Sequence, residues 1–184
     1  MSAIFFCFCI KNILTKKLYC VKYNCIKYKR SGDMSMNEAY INEMMKLENQ
    51  LCFPLYAAAR RVTGLYTPLL KELGITYTQY ITFLVLWEKD GITVGEICER
   101  LMLDNGTVSP LLKKMESAGY ITRTRSADDD RIAVITLTEQ GREMQDRAKD
   151  IPEKVGACID LSSEKAMKLY ELLYELLGKE RRTK

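Results

Sequence analysis

The sequence predicts a mainly α-helical fold carrying one small β-hairpin, and three observations predict it. Two capping boxes, Thr76 with Gln79 and Thr93 with Glu96, each open a segment of apolar residues at helical spacing. A third segment, DNGTVSPLLKKMESAG, starts at the N-cap residue Asp104 and closes at Gly119. Directly after it the hydrophobic period drops from about 3.6 to about 2 over Tyr120–Ser126 and Arg131–Thr138, two runs rich in Ile, Val and Thr.

Taken in order, Glu38–Glu48 is acidic, Met-rich helix material. Pro54 has no amide hydrogen and is cheap only in a first turn, so the next helix begins at about Cys52 and runs to Leu73, with Gly74 as its stop. In the helix opened by Thr76, Tyr80, Phe83, Leu84 and Trp87 mark a buried face. In the short helix opened by Thr93, Val94, Ile97 and Leu101 face inward. Pro110 is early enough in the Asp104-capped helix to cost little. Thr138 caps a polar helix that Pro152 bends or interrupts, and Ser162 starts a last one with Tyr170, Leu173, Tyr174 and Leu177 as an apolar stripe.

Helix, short helix, turn, helix, hairpin is the order of a winged helix-turn-helix DNA-binding domain, here with its core at about 76–138. The flanking helices, about 38–73 and 139–182, exceed what that module needs. Their apolar stripes require cover, most economically from the same helices of a second copy, so dimerisation and a two-fold homodimer are expected.

Composition narrows the function classes. The 184 residues, 47% of them hydrophobic, suffice for one domain with a core. The net charge of +4 misleads, because of 28 basic and 24 acidic residues seven and one lie in Met1–Asp33, leaving 21 and 23 for the body. Only local patches can argue for an anionic partner. Cys7, Cys9, Cys20 and Cys25 also fall in that segment, while Cys52, Cys98 and Cys158 are scattered. With no histidine and no CxxC pair, neither a zinc site nor any other metal or cofactor is expected, and a cytoplasmic, reducing compartment is. The apolar run Ile4–Ile10 is too short to span a membrane and lacks the flanks of a signal peptide, so residues 1–36 are expected to be a non-native or disordered leader.

Two patches suit DNA. A recognition helix enters the major groove by its N-terminal end, where Asn105, Thr107 and Ser109 present small polar groups to base edges or phosphates, with Lys113 and Lys114 one turn on for the backbone. The hairpin carries Arg123, Arg125 and Arg131 around a tip of Asp128, Asp129 and Asp130, a cationic wing steadied by its own acids, with Arg131 suited to a minor groove.

The segment TVGEICERLMLDNGTVSPLLKKMESAGYITRTRSADDDRIAVITLTEQG resembles the winged helix of the multiple antibiotic resistance regulator (MarR) family, most specifically in Asp129-x-Arg131 followed by Leu137-Thr138. The resemblance extends over Leu47 to about Leu177 and implies a homodimeric, non-enzymatic transcription regulator on a pseudo-palindromic double-stranded operator. Within that family, LENQLCFPLYAAAR followed by Tyr66 and by Ile75-Thr76-Tyr77-x-Gln79-Tyr80 is similar to the organic hydroperoxide resistance repressors. That resemblance implies that Cys52 senses the peroxide and that Tyr66 and Tyr77 hydrogen-bond it from the other subunit.

The spacing is compatible with this. Tyr56, four residues from Cys52, shares its helix face. Tyr66 is roughly 21 Å further along the helix at about 1.5 Å per residue, so only a partner's Tyr66 could meet the thiol. A helix's first turn and phenol donors would favour the thiolate without any histidine. Some relatives carry a second cysteine after the wing that bridges to the sensor, a resolving role that falls to Cys158; a low-molecular-weight thiol is the alternative trap. On its own, a free cysteine is most often a small buried hydrophobe, the reading given to Cys98. Two further functions compete: a regulator answering to a non-covalent aromatic ligand, and a thiol peroxidase using Cys52, which would have no use for a winged helix.

Overall fold

The structure, a computed structural model, describes residues 42, 45–125, 129 and 131–178. The leader expected over 1–36 lies outside the described residues, as do Asp128 and Asp130 of the wing tip. The chain divides into two compact units, one ending at Arg61 and the other beginning at Val62.

In the first unit, most of the helix expected over 38–48 lies outside the described residues, and its end is instead a single 3-10 turn, Leu47–Asn49, preceded by an extended Lys46. The long helix α1 then spans Cys52–Leu73, with Pro54 in its first turn as the sequence requires and Gly74 at φ 72° closing it.

In the second unit, α2 (Tyr77–Glu88) is the central helix, buried at Tyr80, Thr82, Phe83, Val85 and Leu86. Its expected buried face needs one correction: Leu84 is 42% exposed, because burial runs through Phe83 and Leu86 and Leu84 points away from both. Thr82 is tolerated inside because its hydroxyl donates to the Thr78 carbonyl at 2.8 Å. Both capping boxes form as read, Thr76 with Gln79 on α2 and Thr93 with Glu96 on α3 (Val94–Leu101). Met102 ends α3 in the left-handed conformation at φ 54° and turns the chain toward Asp104, the N-cap of α4 (Asn105–Ser117). Pro110 is the sixth residue of α4, past the first turn, so it does remove one helical hydrogen bond; the carbonyl concerned belongs to exposed Gly106, which water can serve.

The hairpin is part of a sheet of three strands, one more than expected. The two-residue β1 (Ile92–Thr93) pairs antiparallel with β3 (Ala133–Leu137), which pairs on its other side with β2 (Ile121–Arg125), in the order β1-β3-β2. The registers set Ile92 and Arg123 opposite Ile135, one on either side. Ile92, Ile121 and Ile135 are each at most 1% exposed and meet Ile97, Leu112 and Met115 of α3 and α4 in one core.

After the sheet, Thr138 caps α5 (Glu139–Ala148), and Pro152 lies in the first turn of a separate helix α6 (Ile151–Ala157), so of the two readings, a bend or an interruption, the chain takes the interruption. The last helix, α7 (Ser163–Leu176), starts at its N-cap Ser162 and buries no residue. Of its stripe, Tyr174 is half-buried against Tyr170, with ring centroids 4.6 Å apart, whereas Tyr170, Leu173 and Leu177 are exposed. Among the described residues this apolar stripe at helical spacing is therefore left exposed.

Candidate functional site

Cys52 is the first residue of α1 and is exposed; the Phe53 amide beside it donates to the Gln50 carbonyl at 3.3 Å, and Pro54 has no amide hydrogen to offer. Tyr56, one turn on, is 59% exposed, with the Arg60 guanidinium 5.5 Å from its ring centroid. These residues belong to the first unit.

The second unit brings Tyr66 and Tyr77 together, their rings 5.1 Å apart edge to face, with Tyr80 5.7 Å from Tyr66. Burial, then the neighbouring Tyr66 hydroxyl, pushes the Tyr77 phenol above its ordinary value. A raised phenol stays protonated far past neutral pH and remains a hydrogen-bond donor. From this pair the rings continue without a gap: Tyr80 to Trp87 at 6.4 Å, Trp87 stacked on Phe83 at 5.2 Å, Phe83 to Tyr120 at 5.3 Å. Tyr120 lies next to the wing strand β2. Beside the phenol pair a groove of about 400 Å3 is lined by Thr67, Leu70, Lys71, Gly74, Ile75, Thr76 and Tyr77.

Cys158 is exposed at the end of α6, its thiol donating to the Lys154 carbonyl at 3.3 Å. Cys98, expected in the core, is half-buried against it; burial first, and the Asp104 carboxylate second, push its thiol up and keep it protonated.

At the start of α4, Asp104 accepts the Thr107 amide at 2.9 Å and the Thr107 hydroxyl at 3.0 Å, while the Ser109 hydroxyl donates to Asn105 Oδ1 at 2.7 Å. The three small polar residues read as DNA-facing are thus pre-ordered by short local bonds. Lys113 and Lys114 are exposed and line a shallow groove of about 510 Å3 with Pro110, Ser117 and Ala118. Arg125 and Arg131 are exposed at the wing, where the Asp129 carboxylate accepts the Arg131 amide at 2.9 Å. Arg123 differs: it is turned onto α4.

Asp104 also gives a pH signature. The Thr107 amide, then its hydroxyl, hold this carboxyl below its ordinary 3.8, and the Thr93 amide, then Lys89, hold Glu96 below 4.5. For a carboxyl depressed by folding, the stabilisation is complete above the unfolded value and is lost as pH falls through the folded one. Thermal unfolding followed by circular dichroism from about pH 6 to about pH 3 should therefore show the wild type losing stability in acid, and Asp104→Asn losing less of it.

Sequence reasoning missed Asp90. Its Oδ1 accepts both the Gly91 and the Leu137 amides at 2.9 Å, and its Oδ2 pairs with Arg142 at 2.8 Å, tying β3 to the end of α2 and to α5. An Asp-Gly pair is a turn signal, but it does not name the strand that the carboxylate reaches. Among the described residues no cluster of three or more His, Cys, Asp or Glu is placed to hold a metal ion, and no helix is long and apolar enough to cross a membrane.

Comparison with known proteins bears on the family and the fold. Residues 64–148 match the family described as transcriptional regulator SarA/Rot. The chain is 49% identical over 133 residues to the organic hydroperoxide resistance transcriptional regulator of Bacillus subtilis, covering 72% of this chain and 90% of that one. It is 38% identical over 133 residues to the HTH-type transcriptional regulator SarZ of Staphylococcus saprophyticus, covering 72% and 91%. Among solved structures it is similar to AbfR of Staphylococcus epidermidis, at 34% identity in each of three states: reduced and bound to DNA, with a TM-score of 0.63 over 76% of this chain and 97% of that one; overoxidised and bound to DNA, 0.59 over 74% and 98%; and disulfide-formed, 0.52 over 76% and 98%. The chain belongs to the MarR family of winged helix-turn-helix, DNA-binding transcriptional regulators, in the branch of the organic hydroperoxide resistance regulators.

Proposed function

We propose that the chain is a homodimeric cytoplasmic repressor that senses organic hydroperoxides by oxidation of Cys52 and then leaves a pseudo-palindromic operator. The observation that carries the reading is Cys52 itself, an exposed thiol on the first residue of a 22-residue helix. The phenol pair Tyr66 and Tyr77, held protonated at Tyr77 by burial, supplies donors of the kind a thiolate needs. The stripe of α7, exposed among the described residues, supports the homodimer.

The chemistry is a two-electron oxidation. The Cys52 thiolate attacks one peroxide oxygen, the O–O bond breaks, the departing alkoxide takes a proton to become an alcohol, and the cysteine becomes a sulfenic acid. A second thiol then attacks that sulfur, expelling water and leaving a disulfide. The second thiol proposed is Cys158 of the partner, exposed and outside the core. Because AbfR has been solved on DNA in its overoxidised as well as its reduced form, we favour the disulfide over simple addition of oxygen as the releasing step. Cys52 reacts once per signal, which makes the chain a sensor and not an enzyme.

Non-reducing electrophoresis run beside operator release tests this. After about one equivalent of cumene hydroperoxide, wild type should run as a bridged dimer and leave DNA, and Cys158→Ser should stay monomeric on the gel and release DNA only when a small thiol is added. Release of unbridged Cys158→Ser without added thiol would instead make the sulfenic acid sufficient. One observation favours a second reading, a non-covalent aromatic ligand: the groove beside Tyr77 has room for one. That reading requires Cys52→Ser to respond normally.

A further inference from the structure

Arg123 is placed on β2 as a wing cation, yet its side chain does not leave the domain. Strand alternation puts it on the face of Ile121, which is buried, so it is carried back over the recognition helix α4. Its Nη2 donates to the Ser109 carbonyl at 3.1 Å and its Nε lies 3.3 Å from Glu116 Oε2, an ion pair without hydrogen-bond geometry. Ser109 and Glu116 stand seven residues apart, two turns along one face of α4, or about 10 Å along its axis. One rigid guanidinium fork therefore grips the recognition helix at two points.

Two points fix what one cannot. A single contact would let the helix rotate about its axis or slide along it. A rotation of about 20° moves a side-chain tip at roughly 5 Å radius by nearly 2 Å, enough to break a bidentate bond to a base edge. The held residue is also connected to a candidate reader, because the Ser109 hydroxyl donates to Asn105 Oδ1 and so fixes which end of that amide faces outward. We propose that Arg123 is a positioning residue for sequence discrimination, acting through Ser109 and Glu116 on the setting of α4 and not by neutralising a phosphate. The proposal rests on α4 entering the DNA and is independent of how Cys52 is used.

The test uses the full-length reduced protein with two probes, a duplex selected from a random pool by the wild type and a random-sequence duplex of equal length. Arg123→Lys, Arg123→Met and Glu116→Gln are compared for affinity to both, for salt dependence and for thermal stability. A phosphate contact predicts that Arg123→Met weakens both probes alike, lowers the salt slope by about one, and is rescued by lysine. The positioning role predicts that the ratio between probes falls about tenfold in both Arg123 variants, with an unchanged salt slope and no rescue by lysine, which cannot span two points. Glu116→Gln keeps size and shape and should lower the ratio in the same direction. If an Arg123 variant does not fold, undiminished discrimination by Glu116→Gln overturns the proposal by itself.

Discussion

Cys52→Ser should hold its operator in the presence of an organic hydroperoxide at which the wild type lets go. Loss of specific contacts leaves only non-specific binding, typically weaker by about 10³ or more, so wild-type affinity should drop at least a hundredfold while the variant changes by less than about twofold. The large difference follows from chemistry: a serine hydroxyl forms no nucleophilic anion at neutral pH, so the O–O bond has no attacker. The substitution is also mild for the fold, because the side chain is exposed and lies outside the buried core. Operator affinity before oxidant should therefore match wild type, which separates a lost sensor from a lost DNA-binding domain. A gel shift with and without about one equivalent of oxidant reads both quantities at once. Release of the variant would move attention from the thiol to the groove beside Tyr77.

What the sequence showed depended on how locally each feature is written. The N-caps Thr76, Thr93, Asp104, Thr138 and Ser162 all accept the amide of the residue three positions on. Such bonds depend on neighbours alone, so caps, helix starts and the interruption before Pro152 could be read directly. Strand β1 could not, because two residues carry no period and Ile92 becomes a strand only when Ile135, far along the chain, lies beside it. Asp90 was opaque for the same reason, since its partner Leu137 is 47 residues away. Arg123 was a different kind of miss. Its charge suggested an outward role, although Ile121 two residues earlier already marked its strand face as the buried one. The thiol reading came from resemblance, since a lone cysteine and scattered tyrosines have no spacing that specifies redox chemistry.

Gly141→Ala should cost about 3 kcal/mol or more, a large fraction of the stability of a domain this size, and lower the melting temperature by roughly 10 °C. A Cβ there would sit 2.2 Å from the Tyr120 carbonyl oxygen and 3.0 Å from Leu137 Cδ2. Carbon and oxygen tolerate about 3.3 Å, so α5 or the start of β2 must move by about 1 Å. Neither is free to do so. The Tyr120 carbonyl accepts the Thr138 amide at 3.1 Å, the Gly141 amide donates to the Thr138 hydroxyl at 3.1 Å, and the Gly141 carbonyl accepts the Trp87 indole N–H at 3.0 Å. Any shift that makes room for the methyl group strains all three bonds and disturbs the stacking of Trp87 on Phe83. In an exposed helix the same change would stabilise, because alanine is the better helix former. The sign of the effect therefore reports the close approach, with thermal unfolding by circular dichroism as the measurement. Because Trp87 is the only tryptophan in the sequence, its fluorescence gives an independent check: the variant should show a red-shifted emission already in the folded state. Unchanged melting and emission would mean that α5 does not sit against the base of the wing as described.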